Sequence, residues 1–171
     1  ILLISGISGS GKSVALNVIE DAGYYCVDNL PPSLLIDLVK TLELEGVKNA
    51  AMAIDSRSAH QLQSVAATID KLRELGHEVK VLFLTASSET LIARFSETRR
   101  SHPLSHHLQT ERISDCTLSL TECIQAEREL LSPLQFLGHV LPTPNLSANH
   151  LRHWIQDEIA VEHAPLIHMF E

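Results

Sequence analysis

The sequence predicts an α/β fold, a three-layer sandwich around a parallel sheet of about five strands. Short apolar runs rich in β-branched residues alternate along the chain with longer segments of helical periodicity. This alternation is typical of parallel strands joined by crossover helices. A glycine-rich stretch, GISGSGKS at residues 6–13, stands between the first apolar run and the first helical segment. The length of 171 residues suits one such domain.

Turn residues and apolar spacing divide the chain into five strands and six helices. The strands are predicted at Ile1–Ser5, Tyr24–Val27, Ala50–Ile54, Val79–Leu84 and Val140–Leu141. The helices are predicted at Lys12–Asp21, Leu34–Leu44, Gln61–Leu75, Glu89–Phe95, Leu118–Leu131 and Asn149–Ile159. Gly23, Gly46 and Gly76 end the first three helices, and Pro31-Pro32 suits the first turn of the second. Residues 97–110 are polar, rich in Arg and His, and outside this pattern.

The composition limits the classes of function. A net charge of −8 disfavours general binding to nucleic-acid phosphates, so an RNA contact needs a local patch or another segment. Three cysteines without CxxC spacing predict free thiols in a reducing compartment. Without a signal peptide or an apolar run of about 18 residues, the chain is predicted to be cytoplasmic. Because it begins inside an apolar strand without Met, we expect a piece of a longer protein.

The glycine-rich stretch has the pattern G-x-x-x-x-G-K-[ST] of the P-loop, or Walker A motif. Glycine lets the backbone curl so that N–H groups point inward at a helix N-terminus, where anions bind. Lys12 is placed to reach the β- and γ-phosphates, and Ser13 to hold Mg²⁺. The predicted cradle for a nucleoside triphosphate comprises Gly6, Ile7, Ser8, Gly9, Ser10, Gly11, Lys12 and Ser13. The alternative is a chance Gly/Ser-rich turn.

Two aspartates follow predicted strands. Asp55 closes the third strand, where a carboxylate orients Mg²⁺ in P-loop proteins, and the alternative is a cap of the next helix. Asp28 follows the second strand and is predicted either to contact a substrate hydroxyl, as acceptor or base, or to form a turn. Arg57 faces a substrate phosphate or solvent.

Basic residues cluster late in the chain. Arg94, Arg99 and Arg100 are predicted to lie in a polar segment that folds over the triphosphate as a lid; the alternative is a solvated face. Arg128 is interpreted either as a further contact of the triphosphate or as part of a surface ion pair, and the surface ion pair is favoured. The histidines, which include a cluster at His102, His106 and His107, lack companions at zinc spacing and are interpreted as solvated or hydrogen-bonded.

Several stretches together resemble the RapZ/YvcJ family of bacterial nucleotide-binding proteins, also called RNase adapter proteins. They are GISGSGKS, GYYCVDNLPPSLL at 23–35, the Ile, Asp, Ser and Arg of 54–57, and ETRRSHPL at 97–104. The resemblance implies a kinase-like P-loop domain that binds ATP and GTP, with weak hydrolysis in some members. It makes 6–13 the ATP site and Asp28, Asn29, Leu30 and Pro31 a GTP-binding motif.

The resemblance also implies a division of the chain. Residues 1–160 would be the nucleotide-binding domain, and 161–171 the start of a linker to a C-terminal domain tied to RNA and amino-sugar-phosphate sensing. Small RNA and endoribonuclease partners would act through that second domain, no membrane is involved, and homo-oligomerisation stays open. Two positions depart from the family: Thr85 replaces a carboxylate, and Pro142-Thr143-Pro144 replaces a DTS-like stretch.

Two functions remain open. In a nucleotide-gated regulator, bound ATP or GTP orders the lid, and hydrolysis is slow. In a metabolite kinase, Lys12, Arg99 and Arg100 stabilise transfer of the γ-phosphate, and Asp28 or Asp55 activates an acceptor hydroxyl. The resemblance favours the regulator.

Overall fold

The five predicted strands form one parallel sheet in the computed structural model. The structure describes residues 1–54, 64–98, 101–105 and 119–143, together with 149, 153 and 156. The strands are β1 (Leu2–Gly6), β2 (Tyr25–Val27), β3 (Ala50–Ala53), β4 (Lys80–Thr85) and β5 (His139–Pro142). Their order across the sheet is β2-β3-β1-β4-β5, and every neighbouring pair is parallel. The predicted α/β fold is confirmed.

The helices follow the predicted order. They are α1 (Lys12–Asp21), α2 (Leu35–Leu44), α3 (Val65–Glu74), α4 (Ser88–Thr98) and α5 (Leu120–Gln135), with a 3₁₀ turn at Pro32–Leu34 before α2. The bounds of α1 agree with the prediction at both ends. The predicted helix at 149–159 lies mostly outside the described residues, of which 149, 153 and 156 are helical.

Helix α5 runs past the predicted end at Leu131, although Pro133 lies inside it. Proline has no N–H, so the carbonyl of Glu129, four residues earlier, loses its usual partner in the helix. The hydroxyl of Ser132 donates to that carbonyl at 2.8 Å. A neighbouring side chain therefore replaces the missing bond. At the other end, Ser119 and Glu122 form a reciprocal capping box.

Two apolar clusters pack on opposite faces of the sheet, because successive residues of a strand point to opposite sides. In β1, Leu3 belongs to the cluster formed with α2, α3 and α5, whereas Ile4 belongs to the cluster formed with α1. Phe83 and Leu84 divide in the same way in β4. The molecule is therefore a helix–sheet–helix sandwich. Among the described residues, no helix is long and apolar enough to span a membrane.

The register brings the carboxyl ends of the strands to one edge. Gly6 pairs with Leu84, and Leu84 pairs with Leu141, so the turns after β1, β4 and β5 lie side by side. Open parallel sheets bind ligands outside this edge. The fold therefore presents residues 6–13, here called the phosphate loop, at the position where a ligand is expected.

Candidate functional site

The phosphate loop leaves β1 through a backbone that only glycine adopts easily. Gly6, Gly9 and Gly11 have φ values of 145°, 83° and 106°, in the region that side chains disfavour. A Cβ on Gly6 would lie 2.2 Å from the carbonyl oxygen of Leu84. Gly11 is the N-cap of α1. The glycines of the motif thus permit both the close approach to β4 and the turn into the helix.

Part of the loop is open to an anion. The N–H groups of Gly9, Gly11 and Ser13 have no acceptor within the described part of the chain, and they lead into the N-terminus of α1, where the helix dipole favours negative charge. The ammonium group of Lys12 donates to the Gly6 carbonyl at 2.5 Å and therefore lies over the loop. The Ser13 side chain is exposed.

The outer side of the loop is held by three side chains from distant segments. The Glu127 carboxylate in α5 accepts from the Ser8 N–H at 3.0 Å and from the Ser8 hydroxyl at 2.7 Å. Arg94 in α4 donates to the Gly9 carbonyl at 2.8 Å. The hydroxyl of Thr143, which follows β5, lies 3.0 Å from the carbonyl oxygen of Ser10. Three consecutive loop residues are therefore each fixed from outside.

The Glu127 carboxylate is buried and ionised. Burial by itself would raise its pKa, but hydrogen bonds from His102 and Ser8, with the positive charge of Lys12, lower the pKa below its ordinary value of 4.5. The His102 ring lies 3.0 Å from the carboxylate and is itself 3% exposed. His102 is therefore hydrogen-bonded, in agreement with the interpretation of the histidines.

The prediction of a surface ion pair for Arg128 is wrong. Its guanidinium group donates to the Thr85 hydroxyl at 3.3 Å and to the Ala86 carbonyl. These groups lie at the end of β4, at the carboxyl edge of the sheet. Arg94 also lies within α4, and not in a polar segment after it. Both arginines stabilise the backbone around the phosphate loop.

The segment Asp28, Asn29, Leu30 and Pro31 forms a turn after β2. The Asp28 carboxylate accepts from the Asn29 N–H at 2.8 Å, and Asn29 has a positive φ of 53°. The Leu30 N–H donates to the Ala53 carbonyl at 2.9 Å, and its side chain is buried. Asp28 is exposed at the carboxyl edge. What this turn offers to a ligand is therefore Asp28 and Asn29.

Several predicted site residues lie outside the described residues: Asp55, Arg57, Arg99, Arg100, His106 and His107. Within the described ranges, no group of three or more His, Cys, Asp or Glu side chains is arranged to hold a metal ion. The exposed hydroxyl of Ser13, the last residue of the loop, is an oxygen ligand of the kind that Mg²⁺ accepts. Cys26 and Cys123 are free thiols, and Cys116 is not described.

Sequence reasoning missed Glu127 and Thr143 as contacts of the loop. The sequence does indicate that Glu127 is unusual, because this residue lies on the apolar stripe of α5. The other members of the stripe are Cys123, Ile124, Leu131 and Leu134. A carboxylate on such a stripe is buried and needs partners. Thr143 was noted as a departure from the family's pattern, with no role assigned. Its contact with Ser10 joins residues 133 positions apart, and local sequence gives no sign of it.

Comparison with known proteins gives one consistent result. The sequence matches the model of the RapZ-like N-terminal domain over residues 1–163. A nucleotide-binding protein of Janthinobacterium sp. (strain Marseille) is 55% identical over 171 residues, and one of Herminiimonas arsenicoxydans is 52% identical. The matches cover 100% of this chain and 60% of each relative. The chain thus spans less than two thirds of their length.

Solved structures show the same fold at low identity. A sugar kinase from Janibacter sp. HTCC2649 superposes with a TM-score of 0.56 at 14% identity, over 94% of both chains. Shikimate kinase from Acinetobacter baumannii has a TM-score of 0.56 at 15% identity, over 94% of this chain and 91% of the kinase. At these identities the likeness shows the fold alone.

Proposed function

Because this chain belongs to the RapZ-like N-terminal domain family, a family of nucleotide-binding P-loop proteins, we propose that it binds ATP and GTP with Mg²⁺ and hydrolyses them slowly as part of a regulatory adaptor. One observation carries the proposal. The N–H groups of Gly9, Gly11 and Ser13, which have no acceptor among the described residues, lead into the N-terminus of α1, and Lys12 lies over the loop. This arrangement suits a polyphosphate.

Each residue then has a chemical task. The loop N–H groups bind phosphate oxygens, and Lys12 neutralises charge on the β- and γ-phosphates. Ser13 and Asp55 would hold Mg²⁺, which when bound neutralises charge on the triphosphate. Arg99 and Arg100 would act as the lid and stabilise the charge that develops on the transferred group.

The carboxylate that contacts the loop is poorly placed to act as a general base, which supports slow hydrolysis. Within the described residues, Glu127 touches the loop, but it is 0% exposed and its side-chain hydrogen bonds are to Ser8 and His102. A general base must reach the attacking water, and Glu127 does not reach solvent in this arrangement. The nucleotide therefore serves as a bound signal whose γ-phosphate orders nearby loops.

The adaptor role places other partners outside this domain. Residues 1–160 would form the nucleotide-binding domain and 161–171 the start of a linker, in keeping with a match that covers 60% of each relative. A net charge of −8 makes this chain a poor surface for RNA. Small RNA and an endoribonuclease would therefore contact the further domain, with nucleotide occupancy as the signal passed to it.

A second candidate is a small-molecule kinase. Asp28 is exposed at the carboxyl edge, where an acceptor hydroxyl would lie. In that case the γ-phosphate passes to the acceptor rather than to water.

The fate of a γ-labelled triphosphate separates the two. Protein containing the whole chain is incubated with Mg-ATP and with Mg-GTP, alone and with a metabolite extract. Slow release of labelled inorganic phosphate with tight binding supports the regulator, and label on a small molecule supports the kinase. Lys12→Ala should weaken triphosphate binding roughly tenfold or more, because a charge-assisted contact contributes about 1.5–3 kcal/mol. Unchanged binding in that variant would refute the site itself.

A further inference from the structure

We infer that Glu127, oriented by His102, is a positioning residue that holds the phosphate loop in its binding shape through hydrogen bonds rather than through its charge. The two side chains belong to α5 and to the segment 101–105, and both are buried against the loop. Neither is part of the glycine-rich motif. The inference rests on the triphosphate site proposed above, but one of its tests needs no nucleotide.

The carboxylate has a donor for each oxygen. Oε2 accepts from the Ser8 N–H and from Nε2 of His102, each at 3.0 Å, and Oε1 accepts from the Ser8 hydroxyl at 2.7 Å. Replacement of a whole buried polar pair by well-packed apolar side chains is often neutral or stabilising, so stability alone does not account for a buried carboxylate. Both oxygens of the Glu127 carboxylate accept hydrogen bonds at the loop. Its presence is therefore better explained by its effect on the geometry of the loop than by a contribution to stability.

One tautomer of the His102 ring satisfies the hydrogen bonds of both of its nitrogens. The Leu104 N–H donates to Nδ1 at 3.2 Å, and because a backbone amide can only donate, Nδ1 carries no proton. The proton of the neutral ring is then on Nε2, directed at Glu127. The Phe95 ring packs against the imidazole, with centroids 5.2 Å apart. His102 thereby fixes the direction of the Glu127 carboxylate.

The contact with Ser8 sets the first turn of the loop. In a trans peptide the N–H and the preceding C=O point in opposite directions, and no cis bond occurs among the described residues. The Ser8 N–H points to Glu127, so the Ile7 carbonyl points the other way, where it accepts from the Ser10 N–H at 3.0 Å. Loss of Glu127 would free this peptide to rotate.

Two substitutions separate hydrogen bonding from charge. In Glu127→Gln, the amide oxygen can replace Oε2 and accept from Ser8 and His102, while the amide nitrogen donates to the Ser8 hydroxyl, which can also accept. Glu127→Ala removes all three bonds. Glu129→Ala is the matched control, since Glu129 lies on the same helix, is exposed, and contacts Gln125.

The first measurement is affinity for a fluorescent ATP analogue, well below the melting temperature of each variant. We expect Glu127→Ala to bind about tenfold or more weakly, Glu127→Gln to recover most of that loss, and Glu129→Ala to match the parent. His102→Phe keeps a ring, removes the donor, and should lose about threefold or more. A glutamine variant as weak as the alanine variant would make the charge decisive and overturn the inference.

The second measurement is hydrogen exchange of the Ser8 amide without nucleotide. We expect Glu127→Ala to speed exchange at least about tenfold, and Glu127→Gln to keep most of the protection. Equal protection in all variants would overturn the inference even if nucleotide binds. A parent protein that binds no triphosphate but shows the expected exchange pattern would instead overturn the proposed function alone.

Discussion

The two halves of the phosphate loop are held by different parts of the chain. Ser8, Gly9 and Ser10 are fastened by side chains of α5, α4 and the segment after β5. Gly11, Lys12 and Ser13 belong to the start of α1, and the N–H groups of Gly11 and Ser13 have no acceptor among the described residues. The fastened half determines the shape of the loop, and the open half, together with the Gly9 N–H, is available to a ligand. Substitutions that release the fastened half should therefore lower both stability and affinity for the ligand, whereas substitutions in the open half should lower affinity with little change in stability.

The largest effect is expected where the loop leaves the sheet. Gly6→Ala would place a Cβ 2.2 Å from the backbone oxygen of Leu84, at a φ of 145°. We expect a loss of about 3 kcal/mol or more in the free energy of unfolding, because the obstacle is backbone that cannot move aside. Urea denaturation followed by circular dichroism measures this loss.

Gly46→Ala is the matched control. Gly46 also has a positive φ, 77°, but a Cβ there would meet no atom within 4 Å. The Gly46→Ala variant should lose roughly 1–2 kcal/mol in the free energy of unfolding, from backbone conformation alone. Similar losses in the two variants would mean that the contact of Gly6 with β4 does not constrain the loop.

A smaller effect is expected from the hydroxyl of Thr143. Its oxygen lies 3.0 Å from the carbonyl oxygens of Ser10 and Thr85. Because the Ser10–Gly11 peptide is trans, fixing the Ser10 carbonyl outward directs the Gly11 N–H inward. Thr143→Val keeps the shape and removes the hydroxyl. We expect a loss of about 1–2 kcal/mol in stability and about three- to tenfold weaker triphosphate binding, measured by titration calorimetry.

Thr143→Ser provides the control for that variant, since it retains the hydroxyl and loses a methyl group. It should bind the triphosphate nearly as the parent does. If the valine variant binds equally well, the Gly11 N–H is directed by the helix alone, and the fastened half does not shape the open half.

Local chemistry explains which parts of this arrangement the sequence predicts. The bounds of α1 follow from residues next to them, because Gly11 can take the N-cap conformation and Gly23 ends the segment. Lys12 and Ser13 were found through a motif whose spacing is itself local. The contacts that fasten the loop join residues 85 to 133 positions apart. They depend on strand order and helix packing, which periodicity leaves undetermined, so Arg128 was misplaced at the surface.

The smallest effect on stability is expected in the open half. Ser13 is exposed and lies in the first turn of α1, so Ser13→Ala should change the free energy of unfolding by no more than about 0.5 kcal/mol. If Ser13 holds Mg²⁺, the same variant should bind Mg-ATP about five- to tenfold more weakly, with little change in binding without Mg²⁺. Titrations with and without Mg²⁺ measure both values. Equal losses of affinity with and without Mg²⁺ would mean that Ser13 contacts the phosphates and not the metal. A large loss in the free energy of unfolding would mean that Ser13 belongs to the fastened half.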